Sequence, residues 1–147
     1  MTRRHRIAAG GIVFKDDKLL LVRYHDQILV SPGGKLEDDE NIIQAVIREV
    51  KEETNLSVNP FKVLAIEDLI TPKFKMIKVW MLCNYVSGEI QNTTASEKEG
   101  IIEAGWFTKI QLIHEVVFPS FLMSNDWNDF QSDKWQVLCL PTRVAKF

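Results

Sequence analysis

The sequence predicts an α+β domain in which helices pack on a mixed sheet. Three observations predict it. The apolar residues fall mostly in short β-branched and aromatic runs divided by turn formers, one central segment carries clear helical periodicity, and the runs follow in the order strands, helix, strands, helix. The 147 residues, 46% hydrophobic and 26% charged, are what one domain needs to bury a core without disulfides or a structural metal. A single domain over residues 1–147 is the expectation.

Ile7 to Phe14 and Leu19 to Arg23 flank the turn Lys15-Asp16-Asp17-Lys18, the pattern of an antiparallel hairpin. Ile28 to Val30 is a short third run, stopped by Pro32-Gly33-Gly34. From Asn41 to Thr54, Ile42, Ile43, Val46, Ile47 and Val50 recur at helical spacing with no Gly or Pro between them. Asn55 follows, where a helix end favours a residue tolerant of the left-handed conformation. Val58 to Ile70 and Phe74 to Val86 read as long neighbouring strands joined at Thr71-Pro72. Gln91 to Gly100 reads as a polar surface loop and Ile101 to Phe107 as a strand. Thr108 can cap a short helix over Lys109 to His114, Pro119 to Phe130 forms a last helix, and Trp135 to Leu140 closes the sheet.

Charge narrows the function. Eighteen Lys and Arg against twenty Asp and Glu give a net charge of -2, with pI ≈ 5.9. No overall basic field exists for a nucleic-acid polymer, so a polyanionic ligand must be met locally by a few cations or a metal. Cys83 and Cys139 lie in apolar surroundings with no CxxC spacing, which argues against zinc and for reduced core thiols. Arg3, Arg4, His5 and Arg6 before the Ile7 run imitate a secretory signal, but the run is short and enters a charged turn without a cleavage-like site. With no apolar stretch near the roughly 20 residues of a membrane span, the expectation is a cytoplasmic protein with no membrane partner.

The chemistry gathers between Ser31 and Leu56, SPGGKLEDDENIIQAVIREVKEETNL. At about 100° per residue, Glu49, Glu52 and Glu53 fall within roughly 100° of one another on one side of the helix. Three carboxylates so placed repel one another. A hard divalent cation, Mg²⁺ or Mn²⁺, relieves that repulsion and takes oxygen ligands. Pro32-Gly33-Gly34 lets backbone approach such an ion closely. Arg48, beside Glu49, can orient a carboxylate through a paired hydrogen bond. A metal held in this way neutralises phosphate charge and delivers hydroxide, which points to cleavage of a phosphoanhydride.

Gly34, five residues, Glu40, seven residues, Arg48-Glu49, Val50, Lys51, Glu52-Glu53, Thr54, Asn55 and Leu56 together resemble the signature of the Nudix hydrolase family. Asn55 stands where the signature has its final glycine, and Asn is the next most tolerant residue there. The resemblance implies a Nudix-type α/β/α sandwich with a mixed β-sheet between helices. It implies Glu49, Glu52 and Glu53 as metal ligands with the Gly33 carbonyl completing the site, Arg48 steadying a glutamate, and Glu40 bracing the loop. It also implies a further glutamate from a later loop as ligand or general base. Glu97, Glu99 and Glu103 are the candidates, and Glu99 is preferred because Gly100 follows it in a polar loop.

Arg23, at the end of the second strand, resembles a basic position that some MutT-like members set against substrate phosphates, where a guanidinium fork suits phosphate, with a plain surface arginine as the alternative; Lys35 is a second candidate. Trp80, with Lys78 beside it on one strand face, offers either a stacking surface for a base or ordinary packing. The other face, Lys75, Ile77, Val79, Met81, Cys83 and Tyr85, looks more like core. Phe118 and Trp127 could line a pocket or support a homodimer. The leading reading is Mg²⁺-dependent hydrolysis of a nucleoside triphosphate or related nucleoside diphosphate-X compound by water attack on phosphorus. An ADP-ribose or nucleotide-sugar pyrophosphatase is the alternative, and a non-catalytic nucleotide sensor is the contrasting class. Small nucleotides are the expected partners.

Overall fold

A computed structural model describes residues 3–146 of the chain. β1 (Arg4–Lys15) and β2 (Lys18–Tyr24) meet at Asp16 and Asp17, both at positive φ (52° and 60°), the backbone of a tight hairpin turn whose twist matches the strands. β3 (Leu29–Val30) pairs with β2, and β4 (Gly33–Lys35) pairs with the first half of β1. β1 thus changes partner along its length, from β4 to β2, and the sheet opens into a cleft there.

α1 (Ile42–Thr54) begins at Asn41, whose side chain accepts from the Gln44 N–H while the Gln44 side chain accepts from the Asn41 N–H. It ends at Asn55, left-handed at φ 69° as the sequence predicts, with the Asn55 Nδ2 donating to the Glu89 carbonyl. β5 (Ser57–Ile70) and β6 (Phe74–Ser87) form the long antiparallel pair. β6 also pairs with β1 in parallel over eleven residues, from Arg4 beside Phe74 to Phe14 beside Asn84.

After β6 come α2 (Thr94–Lys98), β7 (Ile101–Phe107), β8 (Val117–Phe118), α3 (Phe121–Ser124), β9 (Leu138–Cys139) and β10 (Arg143–Val144). The sheet runs β10-β5-β6-β1-β2-β3-β8, with β4, β7 and β9 attached to β1, β2 and β5. Hydrophobic clusters cover both faces. One joins Val46 and Val50 of α1 to Ala9, Val13, Val79 and Met81; the other joins Ile12, Trp80 and Leu82 to Phe121, Leu122 and Phe130. Both alternating faces of β6 are therefore core, because helical layers cover the sheet from two sides. No helix among the described residues is long and apolar enough to cross a membrane.

The chain's second half departs from the sequence expectation at four places. The last helix is broken: the Asn125 Nδ2 donates to the Phe121 carbonyl and ends α3, and Asp126 caps a separate 3-10 turn over Trp127–Gln131. The closing strand shrinks to Leu138–Cys139, since Trp135 is held off the sheet with its ring 5.0 Å from Phe130 and its Nε1 donating to the Leu64 carbonyl. Cys139 lies exposed on that edge, unlike buried Cys83, whose thiol burial pushes up to about 12. The Gln91–Gly100 segment holds one helical turn, α2, because Thr93 and Ser96 cap each other reciprocally.

Candidate active site

Arg48 is the hub of the site. Its Nε and Nη2 donate to both oxygens of Glu40, at 2.5 and 2.8 Å, and its Nη1 donates to Glu49 at 2.9 Å and Glu52 at 3.2 Å. Nη2 also donates to the Lys35 carbonyl at 3.0 Å, tying β4 to α1. These bonds hold the Glu40 carboxyl below the usual carboxylate range and raise Arg48 further above neutrality. Gly34 is required beside them, since a Cβ there would stand 2.5 Å from the Glu49 Oε1.

Glu99 reaches the same place from the other side. The Thr93 hydroxyl donates to the Glu52 carbonyl, docking α2 on the end of α1, and Gly100 turns the chain at φ 81° just after Glu99. One oxygen each from Glu49, Glu52 and Glu99 then lies within 4.8 Å of the others. Glu53 is deeper. It is 1% exposed, and its Oε2 accepts the Gly33 N–H at 2.8 Å. Burial, with Glu99 and Glu49 nearby, pushes its carboxyl well above the ordinary range; partial desolvation, with Glu49 and Glu52 nearby, also raises that of the more exposed Glu99.

The donor set fits a hard divalent cation. Among the described residues the Glu49 Oε2 and Glu53 Oε1 are buried without a hydrogen-bond partner, a costly state for carboxylate oxygens that a cation removes. The Gly33 amide is committed to Glu53, and Gly33 lines the cleft.

The cleft encloses about 600 Å³ beside the carboxylates. Lys35 lies on its wall, as does Tyr24, a residue the sequence analysis did not single out. Burial and the carboxylates of Glu53, Glu99 and Glu49 hold the Tyr24 hydroxyl firmly protonated. Arg6 and Lys78 add positive charge opposite. The alternation of Arg6, Ala8 and Gly10 on one face of β1 was readable, but not the parallel neighbour that completes the wall.

Two expected substrate residues stand elsewhere. Arg23 donates to Glu103 at 3.0 Å and to both Glu115 oxygens at 3.1 and 3.4 Å, so its fork is filled by protein carboxylates outside the cleft. That pairing holds Glu103 against Arg23, and Glu103 does not line the cleft. Trp80 is 2% exposed and belongs to the core: Gly10 lies against its ring edge, and the Lys78 Nζ sits 4.2 Å from its ring centroid. It has no free face for a base. Trp127 packs 5.1 Å from Phe14, away from the carboxylates.

A family model described as the NUDIX domain matches residues 4–124. The chain belongs to the NUDIX family and is a hydrolase. It is 25% identical over 122 residues to the ADP-ribose pyrophosphatase of Methanocaldococcus jannaschii, covering 79% of this chain and 72% of that one. An uncharacterized Nudix hydrolase of Bacillus subtilis is 33% identical over 100 residues, 67% of this chain and 63% of the relative. Among solved structures, an ADP-ribose pyrophosphatase from Streptococcus suis superimposes with a TM-score of 0.66 at 26% identity, covering 92% of this chain and 98% of that chain.

Proposed function

We propose that the protein hydrolyses the phosphoanhydride of a nucleoside diphosphate linked to a second group, by attack of water on phosphorus, with Mg²⁺ or Mn²⁺ as cofactor. The observation that carries this is the convergence of Glu49, Glu52 and Glu99 at one point on the wall of a cleft that also presents Arg6, Lys35 and Lys78. The cation would supply neutralisation of phosphate charge and a more acidic water. Arg48 fixes Glu49 and Glu52 in place, Glu40 fixes Arg48, and Glu53 fixes Gly33, so the carboxylates do not reorganise during the reaction. Glu99, exposed and on the other wall, is the group free to accept the proton of the attacking water.

The names of the relatives favour a nucleoside diphosphate joined to a sugar-type group over a nucleoside triphosphate. A cytoplasmic setting suits the free thiols Cys83 and Cys139. The test is a panel of ADP-ribose, nucleotide sugars and nucleoside triphosphates with Mg²⁺, Mn²⁺ or chelator, read by phosphate-product detection. Turnover of a diphosphate-linked compound, abolished by chelator, is expected. Absence of turnover on the whole panel, or turnover indifferent to chelator, overturns the proposal.

A further inference from the structure

The cleft is ordered along β6. Phe74, Met76 and Lys78 alternate onto one face of that strand, and β1 sets Arg6 beside Met76 and Ala8 beside Lys78. Arg6, Met76 and Lys78 all line the cleft, and the Arg6 guanidinium carbon lies 4.2 Å from the centroid of the Phe74 ring. Same-face residues repeat about every 7 Å, so Lys78 and Phe74 stand about 13 Å apart along the strand, with Phe74 backing Arg6 rather than lining the cleft itself. Among the described residues neither Arg6 nor Lys78 forms an ion pair, although the cleft is rich in carboxylates.

The two cations differ in their surroundings. Lys78 is level with Ala8, which pairs on its other side with Lys35 of β4, the strand whose Gly33 binds Glu53, and this places Lys78 at the inner end. Arg6 stands further out, half-buried, with its guanidinium carbon over an aromatic ring beside a thioether. A guanidinium held in this way is weakly hydrated and planar, and its second face is a stacking surface. Apolar neighbours without a second cation suit a flat heterocycle better than a phosphate, which would lose hydration there for one charge.

We propose that the Arg6–Phe74 pair with Met76 is the subsite for the substrate's nucleobase, and that Lys78 takes the phosphate lying between that base and the carboxylate cluster. This rests on the proposed function for the polarity of the substrate, carboxylates at the reacting phosphorus and base at the outer end.

The experiment is calorimetric titration, in Mg²⁺, of adenosine 5′-monophosphate, uridine 5′-monophosphate and ribose 5-phosphate into wild type, Arg6→Lys, Phe74→Leu and Lys78→Met, with melting curves to verify folding. Wild type should bind the nucleotides at least about tenfold more tightly than the base-free phosphate. Arg6→Lys keeps the charge and removes the plane, so it should erase most of that ratio; Phe74→Leu should lower it about threefold. Lys78→Met should weaken all three ligands alike. No base-dependent preference in wild type, a ratio within twofold of wild type in Arg6→Lys, or equal weakening of all ligands by Arg6→Lys overturns the subsite. Hydrolysis by the same wild-type preparation keeps the two readings apart. Binding as expected without turnover sinks the activity and leaves the subsite, whereas turnover with an unchanged ratio sinks only the subsite.

Discussion

Arg23 and Arg48 each draw glutamates together, with opposite consequences. Arg23 spans Glu103 on β7 and Glu115 before β8; the Glu103 side chain is 51% exposed and that of Glu115 32%, and every guanidinium nitrogen has a partner. Arg48 meets Glu37, Glu40, Glu49 and Glu52, with Glu53 and Glu99 close behind, and two buried carboxylate oxygens remain without partners among the described residues. The first cluster satisfies itself and fastens a sheet edge. The second has more carboxylates than one arginine can answer, and Glu49 and Glu53 among them are buried. Surplus buried charge, rather than the presence of ion pairs, marks where a ligand is expected.

The largest effect should separate the clusters by rate. Glu52→Gln or Glu99→Gln should lower kcat by at least about a hundredfold with KM little changed, the range of a lost base or ligand. Glu103→Gln and Glu115→Gln should remain within threefold of wild type in the same phosphate-release assay. Should Glu99→Gln behave like Glu103→Gln, Glu99 has no part in the reaction.

Next is the helix end that presents Glu52 and Glu53. Asn55→Val should cost about 1–2 kcal/mol in a denaturant titration, because a β-branched residue resists the left-handed backbone. Asn55→Gly should be near neutral, trading easier φ against the bond to the Glu89 carbonyl. Equal midpoints for the two variants would remove the backbone explanation.

Arg23→Ala should lower stability by about 1 kcal/mol, since its glutamate partners are substantially exposed and screened. Its turnover should be unchanged, and a loss of rate beyond about tenfold at full folding would return Arg23 to the substrate.

The smallest effect lies in pH. The Glu40 carboxyl is held below the ordinary glutamate value of about 4.3, so its contribution is present above that value and fades as pH falls through the lowered one. Glu53 is raised instead. Between the ordinary and the raised value the folded chain holds more protons than the unfolded one, so metal-free stability falls as pH rises. Thermal melts should show a Mg²⁺ stabilisation that is larger near about pH 8 than near about pH 5. A gain independent of pH contradicts the buried-carboxylate account.

α1, its C-terminal end at Asn55, the order of the long strands and the glycine-to-glutamate spacing were legible because each depends on residues close together in the chain. Helical angle sets Glu49 and Glu53 one turn apart, and Asn41 and Asn55 act on their own helix. Glu99, preferred among the loop glutamates because Gly100 follows it, lies beside Glu49 and Glu52, just before the turn at Gly100. The short second half was less legible. Asn125 stops α3 and Trp135 leaves the sheet through bonds to a neighbouring turn and to β5, so periodicity overestimated both elements.

Side chains whose surroundings come from distant strands could not be assigned from spacing. Trp80 is core because β1 passes over it at Gly10, and Arg23 is spent because β7 and the chain before β8 bring two glutamates to it. Glu53 shares a helix side with Glu52, yet only the placement of β4 covers the one and leaves the other open. The Arg6 and Lys78 wall exists through the parallel register of β1 with β6, strands some seventy residues apart. Local sequence determines dihedral preference and helical azimuth. What meets each side chain across the sheet depends on pairing between remote segments, and burial, with the charge it strands, follows from that pairing.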